Sequence, residues 1–130
     1  MSPKILIIED QATMRRNVAL MLQLEGFYAL TAANGVEGLE TARRERPELI
    51  LCDVMMPEMD GHTFLRALRE DEFLRHTPFI FLTAKGDRND VREGMGLGAD
   101  AYLTKPVVRE DLLAAVHQWL KTATSEETPK

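Results

Sequence analysis

The residues best suited to chemistry fall where short apolar runs end. Glu9 and Asp10 follow the run at 5–8, Asp53 closes LILCD at 49–53, Thr83 closes FIFLT at 79–83, and Lys105 follows AYLT at 101–104. Three carboxylates brought within a few ångströms repel, and one is driven to hold a proton unless a cation lies among them. Oxygen donors without His or Cys suit a hard divalent ion, Mg²⁺ first and Mn²⁺ as a substitute. A carboxylate beside such an ion and a lysine is a competent nucleophile toward phosphorus, giving an aspartyl phosphate. The ion and Lys105 would offset charge on the phosphoryl oxygens, so catalysis there would be positioning and electrostatics.

Each residue also has a plainer reading on its own. Asp10 could simply cap a helix, and Asp53 could turn a loop. Thr83 could be a half-buried strand residue, and Lys105 a surface lysine. The elements that hold them decide the matter.

Strand-like runs alternate with helical periods along the whole chain. Lys4–Ile8, Phe27–Thr31, Leu49–Asp53, Phe79–Thr83 and Ala101–Thr104 have strand length. Between and after them, apolar residues recur at helical spacing: Met14, Val18, Met21 and Leu22 within 11–24; Val36, Leu39 and Ala42, stopped near Pro47; Phe64, Leu65 and Leu68; Val91 and Met95; then Leu112, Leu113, Val116 and Leu120. Asp60 and Asp87 are suited to cap the third and fourth helices. Five βα units with unbroken apolar strands predict an α/β fold, a doubly wound parallel sheet covered on both faces. The flavodoxin-like (βα)₅ arrangement, strand order 2-1-3-4-5, puts the third strand between the first and fourth and gathers all the polar strand ends on one edge. The domain is expected over residues 1–121, with 122–130 as a polar tail or the start of a linker.

Composition narrows the classes. The chain has 130 residues, 45% hydrophobic and 28% charged, with a net charge of −5, ordinary for one globular domain. That balance, with no basic cluster longer than Arg15-Arg16 or Arg43-Arg44, argues against direct nucleic-acid binding. Uninterrupted apolar runs reach only five residues, far short of the about 20 that cross a bilayer. No signal-peptide pattern leads the first run, and the single cysteine, Cys52, allows no internal disulfide. A cytoplasmic protein without membrane contact is the expectation.

The motifs ILIIED at 5–10, DVMMPEMDG at 53–61, FLTAK at 81–85 and GADAYLTKP at 98–106 resemble the receiver domain of two-component response regulators, chemotaxis regulators among them, over residues 4–121. The resemblance implies a phosphorelay protein in which Asp53 accepts a phosphoryl group from a sensor histidine kinase or a phosphotransfer protein. Asp10 and Asp53 would ligate Mg²⁺ together with the backbone carbonyl of Met55, and Glu9 would support the ion through water. Lys105 and Thr83 would stabilise the phosphoryl group. Thr83 and Tyr102 would form a switch pair, Thr83 bonding the phosphoryl group while Tyr102 turns inward. A cis Lys105–Pro106 peptide and a backbone turn at Gly61 belong to the same pattern, and Met55 and Lys85 would affect how fast the phosphoryl group is hydrolysed. Such a domain is no enzyme in the usual sense, performing only Mg²⁺-dependent self-phosphorylation and autodephosphorylation. It acts on a downstream effector or an attached output domain, or forms a phosphorylation-dependent homodimer.

Other expectations follow from single segments. Gly94, Gly96 and Gly98 weaken the fourth helix, making the face formed by the fourth helix, fifth strand and fifth helix the expected output surface. By the same resemblance the kinase docks near the first helix, at exposed Arg15 and Arg16. His62, His76 and His117 read as surface or boundary residues, and Cys52 as core. The alternatives are a receiver-like interaction module independent of phosphorylation, an aspartyl-nucleophile phosphatase, and a flavodoxin-like electron carrier. A phosphatase of that kind wants an acid where Met55 stands, and Glu9-Asp10 would repel a flavin phosphate.

Overall fold

The computed structural model describes residues 2–84 and 87–127. The elements run β1 (Lys4–Ile8), α1 (Ala12–Leu24), β2 (Tyr28–Ala32), α2 (Gly35–Glu45), β3 (Leu49–Asp53), α3 (Gly61–Glu70), β4 (Phe79–Thr83), α4 (Arg88–Gly96), β5 (Ala101–Thr104) and α5 (Arg109–Glu127). The five strands form one sheet in the order β2-β1-β3-β4-β5, every pairing parallel. No described helix is long and apolar enough to cross a membrane.

Side chains on a strand alternate between faces, and this splits the core in two. Ile5, Ile7, Leu49, Leu51, Ile80 and Leu82 pack with Val18 and Leu22 of α1 and Leu112 and Val116 of α5. Leu6, Ile8, Ile50, Cys52, Phe79 and Phe81 pack with Ala42 of α2 and with Phe64, Leu65 and Leu68 of α3. β3 and β4 are buried along their whole lengths, which is why their sequences are unbroken apolar runs.

Several local expectations change on folding. Val36 is exposed; α2 meets the sheet through small residues instead, and a Cβ on Gly38 would lie 2.6 Å from Ile8 Cδ1. Asp60 caps α3, its Oδ1 accepting from Thr63 N at 2.9 Å, whereas Asp87 makes no side-chain cap at α4. Asp10 does not cap α1: Gln11 holds that position, without a side-chain bond. The α5 backbone is helical to Glu127. Among the three glycines near α4, Gly98 takes φ +108 just beyond the helix, where an L side chain would be strained.

Candidate functional site

The β1, β3 and β5 ends converge as the strand order requires. Glu9 is completely buried and Asp53 nearly so, at 5% exposure. Lys105 Nζ stands 3.0 Å from Asp53 Oδ1 and 3.3 Å from Glu9 Oε1. Oxygens of Glu9, Asp10 and Asp53 all lie within 4.8 Å of one another. Met55 follows on an exposed loop, its N–H donating to Asp53 Oδ1 at 3.3 Å. Lys105 precedes a cis bond to Pro106.

The cluster is short of positive charge. Burial, with the Asp53 charge adding to it, pushes the Glu9 carboxyl up to about 7, although the Gln11 backbone N–H opposes the shift. Burial alone would pull the Lys105 ammonium down; pairing with Asp53, and then with Glu9, outweighs that and holds it above its ordinary value. Glu9 Oε2 accepts from Gln11 N at 3.0 Å, while Oε1, buried, has no hydrogen bond despite its nearness to Lys105. Three carboxylates against one ammonium, with one buried oxygen left over, is a donor set that fits a hard divalent cation. The adjacent Cys52 thiol is no competitor as a nucleophile. Burial first, then the charges of Asp53, Glu9 and Asp60, push it well up, so it stays protonated.

Thr83 and Tyr102 stand on β4 and β5 of the same sheet. Glu9 and Asp53 continue the α1/α5 side of their strands. Thr83 continues the side of Phe79 and Phe81 that faces α3 and α4. Thr83 pairs with Thr104 and Phe81 with Tyr102, and Thr83 Oγ1 donates to Ala84 O at 3.2 Å. Thr83, Tyr102 and Thr104 line a cavity of about 480 Å³ under Asp87, Arg88, Val91 and Arg92 of the α4 end. Tyr102 is exposed in this structure, not turned inward. Gly61 is the first residue of α3, its N–H donating to Val54 O at 2.8 Å. A Cβ there would meet Asp53 O at 2.5 Å, so close approach accounts for the glycine. Lys85 lies outside the described residues.

Two other expectations are corrected. His62 is buried, not superficial. It meets the Phe81 ring edge-on at 5.3 Å, with Nδ1 3.8 Å from Glu93 Oε1. Arg15 is not a free surface cation either: its guanidinium donates to Glu9 O at 2.8 Å.

Residues 5–117 match the response regulator receiver domain family. The chain belongs to that family. As a receiver it is 39% identical over 119 residues to the DNA-binding dual master transcriptional regulator RpaA of Synechocystis, covering 92% of this chain and 49% of that protein. It is 40% identical over 126 residues to the transcriptional regulatory protein AfsQ1 of Streptomyces coelicolor, covering 97% and 55%. The chain thus spans about half the length of these curated relatives. Among solved structures, the chemotaxis protein CheY4 of Vibrio cholerae superposes with TM-score 0.86 at 34% identity, over 91% of this chain and 98% of that one. A CheY-like receiver domain protein from Methanospirillum hungatei gives 0.90 at 28%, over 97% and 99%. This receiver is therefore a signalling module of two-component systems, with the flavodoxin-like fold its strand order implies.

Proposed function

We propose that Asp53 is the phospho-acceptor of this receiver. One carboxylate oxygen of Asp53 attacks the phosphorus of a phosphohistidine; the P–N bond breaks and the imidazole leaves with the electron pair. Water later attacks the same phosphorus, releasing inorganic phosphate and restoring the carboxylate. The observation that carries this reading is the buried Asp53 carboxylate held 3.0 Å from Lys105 Nζ and beside Glu9 and Asp10. Lys105 is positioned to meet the negative charge that arrives on the phosphoryl oxygens, in a site with little water to screen it. Mg²⁺ would be held by the Asp10 and Asp53 carboxylates and the Met55 carbonyl, with Glu9 behind it through water, and would supply further neutralisation of that charge.

An apolar groove of about 310 Å³ between α1 and the segment after Lys105, lined in part by Met14, Val18, Met21 and Val107, supports docking of the phosphodonor beside the site. Readout is assigned to the α4–β5–α5 face, where Thr83 and Tyr102 border the cavity under α4. The signal would pass there to an effector, to a second copy of the receiver, or to an attached output domain of the kind that the transcriptional relatives' names describe. Residues 1–121 would act as the receiver unit, in the cytoplasm, where phosphohistidine donors act.

Incubation with acetyl phosphate and Mg²⁺, followed by intact mass, tests the acceptor. One phosphoryl adduct on wild type and none on Asp53→Asn is expected. A wild-type chain without an adduct overturns the reading.

A further inference from the structure

The Glu9–Gln11 segment supplies two of the three carboxylates, and beyond the burial of Glu9 and its pairing with Lys105 few contacts hold it. Glu9 N donates to Ala32 O at 3.1 Å, which fixes the strand end. Gln11 N turns back onto Glu9 Oε2 at 3.0 Å. α1 begins there without a side-chain cap and without an acidic residue in its first turn, so the usual means of fixing the entry to a helix are missing. Asp10, between strand and helix, is exposed.

One side chain makes up for this. Arg15, in the second turn of α1, reaches back toward the loop. One guanidinium nitrogen donates to Glu9 O at 2.8 Å and makes a longer contact of 3.5 Å with Asp10 O. Its own backbone N–H donates to Gln11 O at 2.9 Å, so Arg15 closes a loop from the strand end through both acidic residues to the helix. It brings a positive charge to a segment crowded with carboxylates, and it does so on their backbone, leaving the carboxylate oxygens free to ligate.

We propose that Arg15 is a positioning residue for the divalent cation: by holding the carbonyls of Glu9 and Asp10, it sets the acidic pair in ligating geometry. The assignment rests on the reading of Asp53 as a Mg²⁺-dependent acceptor. It replaces the expectation that Arg15 is a contact for the kinase and leaves exposed Arg16 as the cation available to a partner. Groups that orient metal ligands are commonly worth an order of magnitude or more in affinity.

Isothermal titration of the metal-free protein with Mg²⁺ tests this without any phosphoryl donor. Arg15→Gln is expected to bind Mg²⁺ on the order of tenfold more weakly, with Arg15→Lys recovering part of the loss and Arg16→Gln matching wild type. With acetyl phosphate, Arg15→Gln should need more Mg²⁺ for half-maximal labelling while approaching the wild-type rate at saturation. A Mg²⁺ isotherm for Arg15→Gln that superimposes on wild type overturns the proposal, whether or not urea unfolding shows a stability loss. So does a defect confined to transfer from a kinase, which would make Arg15 a docking contact. Labelled wild type with an unmoved variant isotherm refutes only the role of Arg15. A wild type that neither binds Mg²⁺ nor takes label refutes the acceptor reading as well.

Discussion

Gly94 of α4 lies so close to the Phe81 ring that a Cβ at position 94 would fall 2.3 Å from Phe81 Cε2. Phe81 has no obvious way to yield: it is 1% exposed and its ring is flanked edge-on by Phe79 at 4.8 Å and His62 at 5.3 Å. The glycine that weakens α4 as a helix is therefore what lets α4 approach β4, the strand that ends at Thr83.

Two effects compete in Gly94→Ala. Helix propensity favours alanine by about 1 kcal/mol, while overpacking a filled core costs about 1–3 kcal/mol. Because the Phe81 ring is hemmed in, overpacking should prevail, giving a net loss of up to about 2 kcal/mol in urea unfolding. A stabilised Gly94→Ala protein would show that α4 can shift outward at little cost. Gly96→Ala is the control: a Cβ at position 96 meets nothing within 4 Å.

Asp60→Ala should remove the α3 cap and lower stability by about 1 kcal/mol at neutral pH. Chiefly its bond from Thr63 N holds the Asp60 carboxyl below its ordinary value. A depressed acid contributes fully above its unfolded value of 3.8 and loses that contribution as pH falls through the folded value. The stability gap between wild type and Asp60→Ala should thus be constant from neutral down to about pH 5 and narrow in stronger acid. A gap that stays constant into strong acid would mean that the charge of the cap contributes nothing.

Much of this architecture was open to inference from the chain alone, because its signals were redundant. Five apolar runs, each ending in a polar residue, constrain both the parallel sheet and the edge where Asp53, Lys105, Glu9 and Asp10 meet. What escaped depended on contacts between distant segments. Val36 lies on the helical period yet faces solvent, because small Gly38 lets α2 approach Ile8. His62 has no partner spacing in sequence, and only the crossing of α3 with β4 and α4 buries it against Phe81. Arg15 lay in plain view beside Arg16, and nothing in a run of two arginines tells which one bends back.

Glu9→Gln should separate stability from metal binding. Without a cation, the folded protein holds a fully buried carboxylate that competes with Asp53 for one lysine. Replacing it with a neutral isostere leaves the Lys105–Asp53 pair intact, and relief of an imperfectly paired buried charge is worth about 1 kcal/mol or more. In EDTA at pH 8, Glu9→Gln is expected to resist urea better than wild type; in saturating Mg²⁺ the order should shrink or reverse, because wild type gains more from the ion. Equal stabilities in both conditions would show that Glu9 feels neither the charge crowding nor the metal.

Arg69 ties together three segments: α3, the stretch before β4 and the turn after α4. From α3 its guanidinium donates to Thr77 O at 2.8 Å and Arg75 O at 3.0 Å ahead of β4, and to Gly98 O at 2.8 Å just after α4. It also pairs with Asp100 at 3.3 Å, and that same carboxylate oxygen accepts from Phe79 N at 2.8 Å. Removing the guanidinium leaves three carbonyls and a carboxylate to find water, so Arg69→Ala should cost about 2–4 kcal/mol in urea unfolding. Arg69→Lys should restore little, since one ammonium cannot reach partners on both sides of the planar fork. The loss should appear locally in amide exchange, with Phe79 and Gly98 less protected and Leu6 of β1 unchanged once the drop in global stability is subtracted. Uniform deprotection of the whole chain would mean that Arg69 serves the fold at large and does not tie α3 to the end of α4.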